Sequence, residues 1–207
     1  MVRALMDPHY TKIALLLDAS GSMYACREAV IEGFNAFLWE QQVAAAGRAS
    51  LTVALFNGGL NAVVRDVPLD QVSRLAGHQY IPHGGSSLLS GLGGLVQGVG
   101  YRMGTLPEAE RPARVVVAIL TDGRVNNSGN YSPERVQHLV RHQQEKYSWE
   151  FRFCGAQNDS LVTAESLGIE PAHTFDFTLD PAGVKQSFAT LSREVLAVRR
   201  LGSMGDA

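Results

Sequence analysis

The apolar positions along this chain fall into two kinds of stretch that alternate from one end to the other. Ile13–Leu17 is continuously apolar inside KIALLLD (Lys12–Asp18). Continuous runs belong to strands covered on both faces, hence to parallel sheets flanked by helices. Leu51–Phe56 and Arg114–Asp122 (RVVVAILTD) have the same character, and Trp149–Cys154 is a shorter strand. Between them come helical spacings. Val30, Phe34, Phe37 and Leu38 share one face, as do Leu88, Leu92, Leu95, Val96 and Val99, then Val136, Leu139 and Val140.

Ala62–Val67 follows the second strand after only a short Asn57-Gly58-Gly59 turn, which predicts an antiparallel partner. Pro68–Gly77 reads as a loop with a helical turn. Ser132-Pro133-Glu134 opens a helix with a cap, a proline and an acid in the first turn. Ser160–Leu167 predicts a short helix stopped by Gly168. Thr174–Leu179 predicts an alternating edge strand, and Pro181 starts a last helix carrying Val184, Phe188, Leu191, Val195 and Val198. The predicted order, β-α-β-β-α-β-α-β-α-β-α, specifies an α/β fold: a doubly wound, mainly parallel central sheet flanked by helices. Gly91, Gly93, Gly94 and Gly98 interrupt the second helix, where each costs about 1 kcal/mol relative to Ala. Close approach of that helix to its neighbours accounts for them better than a phosphate loop does.

Composition narrows the classes. The 207 residues are 45% hydrophobic and 18% charged with a formal net charge of -2, an ordinary globular profile without the basic excess that nucleic acid or anionic lipid requires. No apolar run approaches the ~20 residues that span a bilayer. The start, MVRALMDPHY, lacks a long apolar core and makes the cytoplasm the expected compartment. Two cysteines, Cys26 and Cys154, read as buried small hydrophobes rather than a redox pair.

Doubly wound sheets bind ligands beyond the carboxyl ends of their strands. Three loops predicted at that edge are rich in small oxygen-bearing residues: Asp18-x-Ser20-x-Ser22, Gly85-Ser86-Ser87 and Thr121-Asp122-Gly123. Two carboxylates, Asp18 and Asp122, with hydroxyls from Ser20, Ser22 and Ser86, form a neutral, oxygen-only set with an open position for a divalent cation. Such a set suits a hard cation, Mg²⁺ first, with Mn²⁺ or Ca²⁺ as alternatives, and no His or Cys cluster competes for a softer one. Met23, Tyr24, His83 and Arg124, with Asn126 and Asn127, adjoin these loops and are the expected rim of a binding face.

DASGSM at Asp18–Met23 resembles the Asp-x-Ser-x-Ser motif of von Willebrand factor A and integrin I domains, and GGSSLLSGL and Thr121-Asp122-Gly123 match that family's other two metal-site segments. The chain looks most similar to the small bacterial domains of the class, with the domain at residues 12–198, an N-terminal extension at 1–11 and a flexible tail at 199–207. The resemblance implies direct ligation by Ser20, Ser22 and Ser86, charge from Asp18 and Asp122, and a partner protein whose Asp or Glu completes the coordination. Ser86 stands where the family usually has Thr, and Ser90 and Asn57 stand where close relatives carry acids, so the expected site is intact but weaker.

Two other readings compete. An acid ending the first strand also opens haloacid-dehalogenase-type phosphohydrolases, but those need a second acid where Ser20 stands and a lysine facing the loop. The other is a scaffold whose metal site has decayed. No Gly-x-Ser-x-Gly elbow surrounds Ser20, and no Gly-x-Gly-x-x-Gly follows the first strand. The expectation is therefore a binding module and not an enzyme.

Overall fold

The computed structural model describes residues 6–122, 131–156 and 160–201. Its elements follow the predicted order: β1 (Asp7–Asp18), α1 (Arg27–Val43), β2 (Arg48–Phe56), β3 (Leu60–Pro68), α2 (Leu88–Thr105), β4 (Pro112–Thr121), α3 (Pro133–Tyr147), β5 (Glu150–Gly155), α4 (Ser160–Ser166), β6 (Thr174–Asp176) and α5 (Pro181–Leu201). The six strands form one sheet in the order β3-β2-β1-β4-β5-β6. All neighbours are parallel except β2 and β3, which pair antiparallel across the short turn. The chain winds outward from β1 to β2 and β3, returns beside β1 as β4, then winds to the other edge. The order therefore reverses between β1 and β4, where the carboxyl ends of adjacent strands diverge and leave a crevice.

Alternation along the central strands feeds two cores. Ile13, Leu15 and Leu17 of β1, with Val116, Ala118 and Leu120 of β4, pack under α1 and α5. Ala14 and Leu16, with Val115, Val117 and Ile119, pack under α2 and α3. Both faces of these strands are buried, which is why their sequence is continuously apolar. Cys26 and Cys154 are free thiols within the first core.

Three helix glycines have the expected packing reason. A Cβ at Gly91 would lie 2.8 Å from the Cβ of Phe56, one at Gly93 2.4 Å from the Tyr131 ring, and one at Gly94 2.8 Å from Leu60. Gly98 differs: a Cβ there would meet nothing within 4 Å. Two element boundaries also differ from the sequence reading. β1 begins at Asp7, inside the stretch read as an extension, because Asp7 and Thr11 pair with Pro112 and Arg114 of β4. The last strand stops at Asp176, since only Thr174–Asp176 find partners on β5, although Phe175 and Phe177 still pack on the core. At the other end α5 runs on to Leu201.

Arg199 shows how α5 is tied down. Its buried guanidinium donates from Nη1 to the carbonyl O and Oε1 of Gln41, at 2.7 and 3.0 Å, and from Nη2 to Gly47 O at 3.2 Å. The Gln41 carbonyl lies in the last turn of α1, where a cation suits the helix dipole.

A buried ion pair joins β1 to the edge strand. Lys12 is 1% exposed and donates to Asp66 Oδ1 at 2.6 Å, while Arg102 of α2 donates to Asp66 Oδ2 at 2.9 Å. The pairing register of β2 and β3 shifts here, and Asp66 takes a left-handed conformation (φ 52°) with its N–H donating to Thr52 Oγ1. The irregularity turns Asp66 toward Lys12. Burial pushes the Asp66 carboxyl up, but hydrogen bonds from Lys12, Arg102 and Ser50 and the charge of Lys12 reverse this and hold it at about 2.

Because the folded value lies below the ordinary carboxylate value of about 3.9, the pair's contribution is present above pH ~4 and is lost as pH falls toward ~2. Replacing Asp66 by Asn leaves Lys12 buried without its counter-charge and is expected to cost about 3 kcal/mol at pH 7. Urea unfolding of parent and variant between pH 7 and pH 2 checks this: the gap narrows across the acid limb. Gly91→Val, which drives a side chain into Phe56, is expected to cost about 1–3 kcal/mol in the same assay.

Candidate metal centre

The crevice between β1 and β4 gathers the oxygen-bearing loops. β1 delivers Asp18 as its last residue. A 3-10 turn over Gly21–Cys26 follows and leads directly into α1. β4 ends at Thr121, so Asp122 emerges beside Asp18. The Gly85-Ser86-Ser87 loop reaches the same point because Ser87 N–H donates to Asn57 O at 2.7 Å and α2 starts at once behind it.

Asp18 is fully buried, and donors surround its carboxylate. Ser20 N–H donates to Oδ1 at 2.8 Å. The Thr121 hydroxyl donates to Oδ2 at 2.8 Å, with Ser86 Oγ at 3.3 Å and Asp122 N–H at 3.4 Å from the same oxygen. Ser20 Oγ lies 3.0 Å from Ser22 Oγ, and Ser22 donates in turn to Asp122 Oδ2. Asp18, Ser20, Ser22, Ser86 and Asp122 therefore share one hydrogen-bonded network, although they come from segments up to 104 residues apart. Ser22 is its solvent-exposed member; the other four are buried.

The electrostatics of this cluster are lopsided. Asp18 makes no ion pair among the described residues, and its donors are hydroxyls and backbone N–H groups. Burial pushes its carboxyl above the ordinary value, and the Asp122 charge adds to that, while hydrogen bonds from Ser20 and Thr121 oppose it. A buried carboxylate of this kind, ringed by hydroxyl oxygens that can turn their lone pairs outward, is a donor set that fits a hard divalent cation. Among the described residues there is no group of three or more His, Cys, Asp or Glu that could hold a metal, so a softer, nitrogen- or sulfur-based site is not offered there.

Residues outside the predicted set hold the loops. Tyr80 is fully buried and its hydroxyl donates to the Asp18 carbonyl at 2.5 Å. Burial and the Asp18 charge push the phenol up, so it remains a donor. Arg27 pins the Tyr80 segment through Tyr80 O and Gly77 O. Gly21 N–H donates to Gly84 O at 3.0 Å, and Gly84 adopts φ +70°, which glycine tolerates freely. Thr121 was legible in its triplet; Tyr80 and Arg27 carry no local signal, because their roles arise from contacts more than 50 residues away.

The predicted rim divides. Tyr24 is 71% exposed. Met23, one residue earlier, is fully buried in the core under α1 and α5, because the 3-10 turn's three residues per turn put Met23 and Cys26 on one inward face and Tyr24 off it. Met23 is thus not a surface residue and its assignment to the rim is corrected. His83 is exposed, and its ring braces two loops: Nδ1 lies 2.8 Å from Ile81 O and Nε2 3.2 Å from Asn57 Nδ2. The carbonyl contact assigns the proton to Nδ1, leaving Nε2 to accept from Asn57. Asn57, which stands where an acid was expected, is therefore a loop brace. Ser90 lies on the first turn of α2, half-buried. Gly123, Arg124, Asn126 and Asn127 lie outside the described residues.

No protein-family model matches the sequence, and no curated protein matches it. Solved structures do. The chain aligns over 91% of its length with the vWF domain of the type V pili tip protein Mfa5 from Porphyromonas gingivalis, at a TM-score of 0.64 and 11% identity, covering 96% of that chain. It aligns over 90% of its length with the PilB minor pilin from Streptococcus sanguinis (TM-score 0.66, 11% identity) and with the mussel byssus proximal thread matrix protein 1 whose MIDAS motif is occupied by zinc (TM-score 0.59, 16% identity). It spans 61% of the pilin chain and 46% of the thread matrix protein. The fold is that of von Willebrand factor A domains.

If the uncompensated Asp18 charge strains the metal-free site, removing it should help. In chelator at pH 7, Asp18→Asn is expected to be more stable than the parent by about 1–3 kcal/mol. Denaturant unfolding reads the difference. A less stable variant would mean that the hydroxyls and N–H groups satisfy the carboxylate on their own.

Proposed function

We propose that this domain is a protein-binding module that holds one divalent cation, Mg²⁺ with Mn²⁺ or Ca²⁺ as substitutes, through Asp18, Ser20, Ser22, Ser86 and Asp122. The observation that carries the reading is the buried Asp18 carboxylate, which has hydroxyl neighbours and, among the described residues, no cationic side chain against it. A bound cation would supply an electrophilic point for the carboxylate of a partner's Asp or Glu, a charge-assisted contact with strong orientation demands. The chain's own residues do the rest. Thr121 and Ser20 N–H fix the Asp18 carboxylate, Tyr80 fixes its backbone, and the His83–Asn57 brace ties the neighbouring loops together. Exposed Tyr24 and Ser22 face the solvent beside the cluster and are available to a docking protein.

The neighbours support a binding role, since they are pilus and matrix proteins, one of them with zinc in its MIDAS motif. The phosphohydrolase reading fares worse. Lys12 is engaged with Asp66 six residues before the end of β1, and Lys185 pairs with Glu32. Among the described residues no helix is long and apolar enough to cross a membrane. The cytoplasmic setting and the small bacterial type belong to this proposal.

The test is thermal unfolding with chelator and with Mg²⁺, Mn²⁺, Ca²⁺ or Zn²⁺, on the parent and on Asp18→Ala. At a cation concentration a hundredfold above Kd, the parent gains about 2.7 kcal/mol, and Asp18→Ala gains nothing. Partner capture that needs the cation, weakened in Tyr24→Ala, follows from the same reading. If no cation stabilises the parent, the domain is a scaffold whose binding face lies elsewhere.

A further inference from the structure

Close packing does not explain Gly98, nor Gly104 in the last turn of the same helix, and of the two only Gly98 lines a cleft. In a helix interior it costs about 1 kcal/mol relative to Ala, yet a Cβ there would meet nothing within 4 Å. The space it leaves is part of a cleft of about 360 Å³ between the edge strand β3 and α2, whose lining shares no residue with the cluster around Asp18. That volume lies in the range of small-molecule sites, about 300–1,000 Å³.

The cleft has an apolar body and a charged end. Leu60 and Ala62 of β3 and Leu95 and Val99 of α2 line the first. At the second, three cationic side chains, Lys12, Arg65 and Arg102, face a single carboxylate, Asp66, so the lining carries an excess of two positive charges. Asp66 already engages both Lys12 and the Nε of Arg102. The terminal nitrogens of Arg102 have no partner among the described residues, and neither does the Arg65 guanidinium. The positive φ of Asp66 turns its carboxylate inward and sets the Arg102 guanidinium at the mouth. Backbone held in a sparsely populated region is a feature that clusters at ligand sites.

We infer that the cleft between β3 and α2 binds a small amphiphile: an oxyanion head, carboxylate or phosphate monoester, against Arg102 and Arg65, and a short apolar chain laid over Gly98 among Leu60, Leu95 and Val99. The guanidinium's planar donors match such heads, and the missing side chain at position 98 is the room for the apolar part. The site does not depend on the cation centre.

Titration of the ¹⁵N-labelled chain with hexanoate, hexyl phosphate and 1-hexanol, followed by amide NMR shifts, tests this. Saturable shifts confined to β3 and α2 are expected, at least tenfold tighter for one or both anions than for hexanol; the tighter anion identifies the head group. Gly98→Leu, which fills the cleft, is expected to abolish the shifts. Arg102→Gln, which leaves the Lys12–Asp66 pair in place, is expected to remove the preference for anions over the alcohol even if Gly98→Leu does not fold. Added chelator is expected to leave all titrations unchanged. Absence of saturable shifts overturns the inference, as does equal binding of hexanol and the anions, or an unaltered anion preference in Arg102→Gln.

Discussion

A buried carboxylate, Asp18, with no cationic side chain beside it among the described residues, dominates this fold's carboxyl edge. Asp18 is fully buried at the end of the central strand, and water cannot solvate its charge there. The chain answers with dipoles: the Ser20 N–H, the Thr121 hydroxyl and the Ser86 hydroxyl all converge on the two oxygens. Each of those donors comes from a different loop, so all three loops must close over the same point. The Ser20–Ser22–Asp122 chain of hydrogen bonds then carries the arrangement to the surface. Partial dipoles do not neutralise a buried charge, and under the proposed function a divalent cation would do so.

The remaining architecture supplies the stiffness that this arrangement requires. β1 and β4 are adjacent and parallel, with side chains buried on both faces, so their ends diverge at a fixed place. Tyr80 reaches from beneath to the Asp18 carbonyl, and Arg27 holds the Tyr80 segment against α1. Gly91 lets α2 settle onto Phe56, which brings Ser86 within reach of Asp18. Arg199 closes the back by bonding the end of α1 to α5. Loss of any of these contacts would act on the site through the loops, without touching a carboxylate or hydroxyl in it.

Lys12 and Asp66 resolve a different conflict at the opposite half of β1. A lysine on a strand buried on both faces needs a counter-charge, and the nearest edge strand supplies it only by breaking its own ladder. The distortion leaves two arginines beside an apolar cleft whose floor is a glycine. Two polar devices thus sit on one sheet: an anion between the central strands with no counter-charge among the described residues, and an excess of cations at the edge.

The order and type of every strand and α-helix among the described residues were legible in the sequence. Continuous apolar runs and 3.6-residue spacings are local signatures of burial on two faces or one, and the short Asn57-Gly58-Gly59 connection dictated the antiparallel edge pair. The small polar residues after β1 and β4 and before α2 were equally legible as one rim, because a parallel sheet places all strand ends of one kind on one side. Tertiary structure decided the rest. Whether Met23 or Tyr24 faces outward depends on the tight turn that carries them, not on their character. Thr174–Leu179 alternates well as far as Leu179 but pairs only over three residues, since β5 offers no further partners. Tyr80, Arg27 and the Lys12–Asp66 pair act across more than 50 residues, and no periodicity records which distant side chain will meet which. Gly98 marks the same boundary: glycine in a helix announces space, and only the packed neighbours reveal whether that space is filled.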